Sequence, residues 1–354
     1  MNRRRDHVRV WLARLYDAAE AIGRPIAFME VCGTHTVSAF RCGLHSLMPA
    51  NVTLLSGPGC PVCVTSQGDI DQYVEVASRP GLTLCTYGDM LRVPGRRGSL
   101  EQARGQGADV RIVFSTMDAV RLAAAEPKRQ IVFAAIGFET TAPATAVAVL
   151  EADRLGLKNF SVLVSHKLVV PAMRALLEGG KVRVHGFLCP GHVSVIIGAE
   201  AYRSIVRDYG VPCVIAGFED VQMAVALTRL VEQVRDGKPD LENTYPEAVN
   251  ALGNPAAQKL IRRVFHIADE YWRGLGTIPN SGLTLRAPFR QYDAAARFGL
   301  DDNEAPEPAG CRCGEVITGQ CTPRDCKLFA TGCTPIHPIG PCMVSSEGTC
   351  QAWF

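Results

Sequence analysis

Residues 131–155 read IVFAAIGFETTAPATAVAVLEADRL and contain one complete strand–turn–helix unit. The apolar run Ile131–Gly137 predicts a buried strand, because short runs of β-branched and aliphatic residues are typical of parallel sheets. The polar turn GFETT follows. The helical pattern Pro143–Leu155 begins with proline, which the first helical turn tolerates because the N–H that proline lacks has no partner there.

The same unit recurs along the chain. Further strands are predicted at Ile26–Val31, Val52–Ser56, Leu82–Thr86, Val110–Ser115, Phe160–Ser165, Val184–Leu188 and Cys213–Gly217. Strands that alternate with helices predict parallel sheets built from right-handed βαβ units. Four strands in each half predict an α/β fold in which two similar Rossmann-like domains face a cleft.

Four segments are predicted in all. Residues 1–24 form an N-terminal helix that packs on the C-terminal domain, residues 25–128 and 129–229 form the two α/β domains, and residues 230–354 form a mostly helical domain with a metal or Fe–S site. Within the last two segments, helices are predicted over residues 222–235 and 255–272. The acidic, proline-rich stretch 301–310 is predicted to be a surface linker.

The composition is that of an ordinary globular protein, with 47% hydrophobic and 20% charged residues. A net charge of +2 gives no electrostatic reason to expect nucleic acid or a membrane surface as partner. No signal peptide or apolar membrane span is recognised, so a cytoplasmic protein is expected. Fourteen cysteines in a reducing compartment favour metal or redox chemistry over structural disulfides.

Two cysteine motifs follow the first two strands. Cys32 and His35 stand where a strand gives way to a helix, where backbone N–H groups would favour a thiolate. Cys60 and Cys63 form a C-x-x-C, which could be a redox dithiol, half of a zinc site or a soft ligand pair for iron. The alternative for Cys32 is a structural cysteine beside a histidine that caps a turn.

Polar residues also follow strands in the second half of the chain. Glu139 and Thr140 come after Gly137, and His192 comes two residues after Pro190. Ligands of open α/β sheets bind at the carboxyl ends of the strands, so these side chains could face the same cleft as Cys32. Simple helix capping explains the threonines equally well.

The C-terminal tail holds seven of the cysteines, between Cys311 and Cys350. Its glycines and prolines leave few apolar side chains for a core, so metal ligation would supply the folding energy. The spacing Cys311-x14-Cys326-x6-Cys333-x16-Cys350 predicts a metal or Fe–S site, in which Cys313 is a rival for Cys311.

Together the motifs resemble those of the HypD family of hydrogenase maturation factors. They are CGTHT, GPGCPVC, TYGDMLRVPG, GFETTAP, GHVSVIIG and CTPIHPIGPCMVSSEGTC, in this order from residue 32 to residue 350. The resemblance implies two α/β domains and a C-terminal domain that holds a [4Fe-4S] cluster. It also implies a role in building the Fe(CN)2CO group of [NiFe] hydrogenases, as a scaffold in complex with HypC that receives cyanide from HypE and serves the hydrogenase large subunit.

The resemblance implies roles for particular residues. Cys32 would hold the iron, and Cys60 and Cys63 would be iron ligands or a dithiol that exchanges electrons with the cluster. The remaining residues divide into those that surround the site, which are His35, Glu139, Thr140 and His192, and the cluster ligands, which are Cys311, Cys326, Cys333 and Cys350. Two other classes stay open: a thiol–disulfide or Fe–S oxidoreductase, and a zinc-stapled binding module.

Overall fold

A computed structural model describes residues 2–300 and 305–354, so the first part of the predicted linker 301–310 lies outside the described residues. The strands are β1 (Ile26–Glu30), β2 (Val52–Ser56), β3 (Leu82–Thr86), β4 (Asp109–Ile112), β5 (Gln130–Gly137), β6 (Phe160–His166), β7 (Gly186–Pro190), β8 (Cys213–Ala216), β9 (Leu241–Asn243), β10 (Phe265–Trp272) and β11 (Gly276–Leu285).

The helices alternate with these strands over most of the chain. They are α1 (Asn2–Ile22), α2 (Gly33–Arg41), α3 (Pro61–Val64), α4 (Gln67–Ser78), α5 (Leu100–Gly105), α6 (Thr116–Ala125), α7 (Ala142–Arg154), α8 (Val169–Gly179), α9 (Gly191–Ile197), α10 (Arg203–Tyr209), α11 (Asp220–Asp236), α12 (Pro255–Val264), α13 (Ala294–Phe298), α14 (Cys313–Ile317) and α15 (Thr349–Trp353).

Two parallel sheets form the framework. The first has five strands in the order β2-β1-β7-β8-β9, and the second has four in the order β4-β3-β5-β6. The pairings between neighbours in both sheets are parallel, for example Ile26 opposite Val52 and Ile131 opposite Phe160. The predicted α/β class with parallel sheets is confirmed.

The strands are shared between the sheets differently from the prediction. The expectation that the first four strands form one sheet and the next four another is wrong. The first sheet joins β1 and β2 to β7, β8 and β9, while β3 to β6 form the second sheet. The apolar pattern identifies a parallel strand but not its neighbour, because a crossover between parallel strands needs about a dozen residues or more and can include other strands. The chain therefore leaves the first sheet after β2 and returns at β7.

The N-terminal helix packs against α11. Leu15, Ala18 and Ala19 are fully buried in one cluster with Leu227 and Leu230 of that helix. The guanidinium of Arg14 also binds the carboxylate of Glu232. Because α11 contacts β7 and β8, α1 covers the first sheet. The packing partner is thus a helix that crosses the predicted boundary at residue 230.

A hairpin replaces part of a predicted helix. The helix expected over 255–272 ends at Val264, and Phe265–Trp272 pairs antiparallel with Gly276–Leu285. Gly274 and Gly276 both have φ near +75°, which suits the tight turn between the strands. The apolar residues of 265–272 fit both the 3.6-residue period of a helix and the two-residue period of a strand. Pairing with the segment across the turn selects the strand. The C-terminal region is therefore mixed rather than mostly helical before the tail.

The two sheets meet at their carboxyl ends. The turns after β1, β2 and β7 of the first sheet face the turn after β5 of the second, and the cysteine-rich tail closes one side. None of the helices in the described chain combines the length and the apolar character that a membrane crossing requires.

Candidate functional site

A cleft of about 450 Å³ lies where the sheets meet. Three of the predicted site residues, Cys32, Thr140 and His192, line it. They come from the turns after β1, β5 and β7. The remaining lining residues are Val31, Thr34, Gly59, Pro61, Phe138, Thr141, Pro190, Val193, Val195, Ile196 and Glu347. The walls are mostly apolar, with a few convergent polar groups, as is typical of ligand sites.

Close backbone packing holds Cys32 in place. Cys32 is the N-cap residue of α2, and the N–H of Gly33 donates to the carbonyl of Gly59 at 3.1 Å. A Cβ on Gly59 would lie 2.3 Å from the backbone nitrogen of Cys32, and a Cβ on Gly33 would lie 2.5 Å from the carbonyl oxygen of Glu347. The glycines of both motifs therefore allow three loops to meet around one thiol.

Burial controls the protonation of Cys32. Burial, together with the negative charge of Glu347, raises the pKa of the thiol to about 11, although hydrogen bonds from the backbone N–H groups of His35 and Thr34 act to lower the pKa. The expectation that the helix start would favour a free thiolate is wrong, because desolvation outweighs the hydrogen bonds. Binding of a cation would supply the charge that stabilises the thiolate.

His35 lies behind Cys32 and does not line the cleft. Its Nε2 donates to the carbonyls of Gly217 at 3.0 Å and Ala216 at 3.3 Å, so this nitrogen carries the proton. Burial lowers the pKa of His35 to about 4, which keeps the ring neutral. His35 and His192 both contact Phe218: the ring of His35 is tilted against it with centroids 4.8 Å apart, and the ring of His192 stacks on it at 4.1 Å. His35 thus orients the second histidine through the phenylalanine.

The C-x-x-C pair forms a disulfide. Cys60 and Cys63 are bonded at the start of α3, where Pro61 occupies the first turn and the N–H of Cys63 donates to Cys60 Sγ at 3.2 Å. Both sulfurs are buried, and Gly59 and Pro61 of the same loop line the cleft. The bonded pair lies next to the cleft.

Glu139 is buried beside the cleft rather than in it. One carboxyl oxygen accepts from the N–H of Val169 at 3.0 Å, at the start of α8, and burial raises the pKa of the carboxyl to about 7. Thr140 and Thr141, the next two residues in the chain, line the cleft. Gly137 has φ +146°, and a Cβ there would overlap the hydroxyl of Thr141.

Glu347 is the site residue that sequence reasoning missed. It reaches the cleft from the tail and accepts from the Thr34 hydroxyl at 2.5 Å. Asp89, in the TYGD motif, holds its loop by accepting from Ser345 Oγ and from the N–H and Oγ of Ser346, each at 3.2 Å. The sequence signal that could have identified Glu347 was a carboxylate between serine and glycine in the cysteine-rich tail.

Most of the thiols of the cysteine-rich tail lie close together. Burial, together with the nearby Cys313, Cys326 and Cys333, raises the pKa of Cys311 to about 12. Cys342 donates to Cys350 at 2.9 Å between the sulfurs, and Cys342 also hydrogen bonds with Cys313. Six of the seven tail cysteines therefore lie in one neighbourhood, whereas Cys321 lines a separate groove with Trp353.

The donor chemistry of this neighbourhood fits an iron–sulfur cluster, because thiolates are the ligands that such clusters prefer. Over the described ranges, no three side chains are already arranged around a point that could hold a single metal ion. The predicted ligands Cys326, Cys333 and Cys350 are all buried, and Cys311 is half-buried.

Comparison with known proteins identifies the family. A sequence profile of the HypD family, described as "Hydrogenase formation hypA family", matches residues 6–354. The chain is 48% identical to the "Hydrogenase maturation factor HypD" of Azotobacter vinelandii, over 94% of this chain and 89% of that protein. It is 44% identical to the protein of the same name from Escherichia coli (strain K12), over 99% and 93%. The chain therefore belongs to the HypD family of hydrogenase maturation factors.

Proposed function

We propose that this maturation factor holds iron on the Cys32 thiolate while the Fe(CN)2CO group of [NiFe] hydrogenases is assembled, in complex with HypC and with cyanide delivered by HypE. A cytoplasmic location belongs to the same proposal. The observation that carries it is the cleft, in which one buried thiol is surrounded by Thr140, His192 and Glu347 from three separate segments.

The cleft suits an iron cargo with diatomic ligands. A thiolate is a soft ligand for such an iron. Val31, Phe138 and Ile196 provide apolar walls that limit access of water, and the polar groups of Thr140 and His192 can orient a bound cyanide by hydrogen bonding. The raised pKa of Cys32 means that iron binding displaces a proton from the thiol.

The cleft also has room for a partner. Cys32 is the one thiol among the described residues that line it. Iron needs further ligands, and a residue of HypC entering the open side can supply one. Iron held jointly by Cys32 and a residue of HypC would account for a scaffold that works only in a complex. The complex then passes its iron to the hydrogenase large subunit.

The tail is proposed to hold a [4Fe-4S] cluster through Cys311, Cys326, Cys333 and Cys350. When bound, the cluster donates and accepts single electrons. Gly340 supports Cys311 as the first ligand, because a side chain at this position would lie 2.6 Å from the Cys311 sulfur. Cys313, the rival of Cys311, hydrogen bonds with Cys342, which also donates to the predicted ligand Cys350.

The paired thiols give the protein a second redox group. Cys313 begins α14 and Cys342 lies in the turn Pro341–Met343, and both segments pack against α3, which carries the Cys60–Cys63 disulfide. We propose that the two dithiols exchange. Attack of a tail thiolate on the disulfide would reduce Cys60 and Cys63 and oxidise the tail pair, with no net change in electrons.

Infrared spectroscopy of the protein purified anaerobically with HypC tests the iron site. Cyanide and carbonyl stretches are expected from the unaltered complex and should be lost in Cys32→Ala, while the absorbance of the tail cluster is retained. Cys42→Ala is the matched control, since Cys42 lies at the other end of α2 and is half-buried. Persistence of the bands in Cys32→Ala would exclude this assignment.

The same preparation separates the other candidate functions. The Cys60–Cys63 disulfide favours a thiol–disulfide oxidoreductase as second candidate, which would turn over a diffusible disulfide without any diatomic-ligand bands. A zinc-stapled module would be colourless and contain zinc instead of iron and sulfide.

A further inference from the structure

Arg273 is a buried cation with no role in the site as described so far. Its side chain is 1% exposed, in the turn of the hairpin between β10 and β11. Its Nη1 has no hydrogen-bond partner among the described residues. Burial of a guanidinium is costly unless it is fully paired, so a positive charge kept here calls for an explanation.

The contacts of Arg273 lie at the C-x-x-C helix. Its backbone N–H donates to the carbonyl of Val64 at 3.0 Å, and its Nε donates to the carbonyl of Thr65 at 3.1 Å. Its Nη2 donates to Gln67 Oε1 at 3.4 Å. The charge therefore lies at the carboxyl end of α3, one turn from Cys63.

The opposite side of Arg273 faces the tail. Glu307 Oε2 lies 4.0 Å from Nη1 and accepts from the N–H of Gly314 at 3.3 Å, next to Cys313. The backbones also meet closely, because a Cβ on Gly274 would lie 2.4 Å from the carbonyl oxygen of Gly314. The hairpin turn thus connects α3 to the helix that begins with Cys313.

We infer that Arg273 is the positioning residue of the redox dithiols: it clamps the C-x-x-C helix against the cysteine-bearing tail helix and places a fixed positive charge where electrons arrive. The inference rests on the redox part of the proposed function. The electrostatic reason is direct, since a nearby cation in a poorly solvated region stabilises added negative charge.

The step concerned is reduction of the Cys60–Cys63 disulfide. The S–S bond breaks, two electrons come from two molecules of a one-electron donor, and two protons from solvent complete the thiols. The first electron adds negative charge to the disulfide before a proton arrives. Loss of the guanidinium charge should therefore slow the step, and loss of the opposing Glu307 charge should speed it.

The test follows the disulfide in the full-length protein by acid quenching, alkylation and peptide mass spectrometry. Dithionite and reduced methyl viologen serve as donors of opposite charge, so that effects on donor approach can be separated from effects in the interior. We expect reduction to be at least about 10-fold slower in Arg273→Gln, within about 3-fold of the unaltered rate in Arg273→Lys, and faster in Glu307→Gln, with both donors.

Lys167→Gln is the matched control. Lys167 is also 1% exposed and binds the same hairpin, through Glu270 Oε1 at 2.8 Å and the carbonyl of Tyr271 at 2.7 Å. Its loss should lower the melting temperature without changing the reduction rate.

Equal rates in the Arg273→Gln and unaltered proteins, or equal slowing in Arg273→Lys and Arg273→Gln, would overturn the inference. If Arg273→Gln does not fold, Glu307→Gln decides, and a rate that is unchanged or slower overturns it. A disulfide that resists both donors in the unaltered protein would overturn the inference and the redox proposal together. Missing infrared bands would overturn the iron proposal alone.

Discussion

The protonation of Cys32 gives the sharpest prediction about the cleft. Its thiol has a pKa of about 11, against an ordinary value of 9.0. At pH 8 the thiolate fraction is then about 1 in 1,000, compared with about 1 in 10 for an ordinary thiol. This 100-fold difference corresponds to about 2.7 kcal/mol, and it must be supplied by whatever binds the thiolate.

The assay is the rate of alkylation of Cys32 by iodoacetamide between pH 7.5 and 9.5, read by peptide mass spectrometry. Because the thiolate is the reactive form, the rate should rise about tenfold per pH unit without a plateau. A free thiol such as glutathione, measured alongside, should level off within this range. The slope is compared rather than the absolute rate, because burial also limits access.

Substitution of Glu347 tests the cause of the shift. Since its negative charge raises the pKa of Cys32, Glu347→Gln should move the profile to lower pH. A plateau below pH 9 in the unaltered protein, or a shift of Glu347→Gln to higher pH, would refute the reasoning.

Three further predictions concern stability and the tail. Burial raises the pKa of Glu139 from 4.5 to about 7, so its contribution to stability is present below pH 4.5 and is lost as the pH rises through 7. Relative to Glu139→Gln, the unaltered protein should lose about 2 kcal/mol of unfolding free energy between pH 5 and 8 in denaturant titrations, and parallel pH profiles would contradict this. Gly59→Ala should cost about 1–3 kcal/mol, because its Cβ meets backbone atoms of Cys32, whereas Gly105→Ala, with open space around its Cβ, should be neutral or stabilising; equal effects would be the contrary result. Asp89→Ala should speed amide hydrogen exchange over residues 344–349, since their loop loses three hydrogen bonds, and unchanged exchange would show that the loop is held otherwise.

Eight of the nine strands of the two sheets could be predicted from the sequence, whereas β9 (Leu241–Asn243) was not. Val52–Ser56 and Leu82–Thr86 were predicted with their observed bounds, and Ile131–Gly137 within one residue. Buried parallel strands are short apolar runs bounded by glycine and polar turns, so the local pattern contains the information. The same logic placed Cys32, Thr140 and His192 at strand ends, and those three meet in the cleft.

The partners of those strands could not be predicted in this way. That β1 pairs with β7 rather than with β3 is set by the packing of α11 and α1 on one sheet and by the long excursion of the chain into the other. Nothing local distinguishes the two arrangements, because each strand has the same apolar pattern. The hairpin after Val264 was misread for a related reason, since pairing across a turn overrides an ambiguous period.

By itself, the sequence determined the family motifs, the parallel α/β framework and the grouping of thiols into a strand-end set and a tail set, because these depend on residue type and spacing. Only the tertiary structure brought Glu347 to Cys32, placed Arg273 between α3 and α14 and raised the pKa of the Cys32 thiol. Those features depend on distance and burial, which arise when segments more than 200 residues apart pack together.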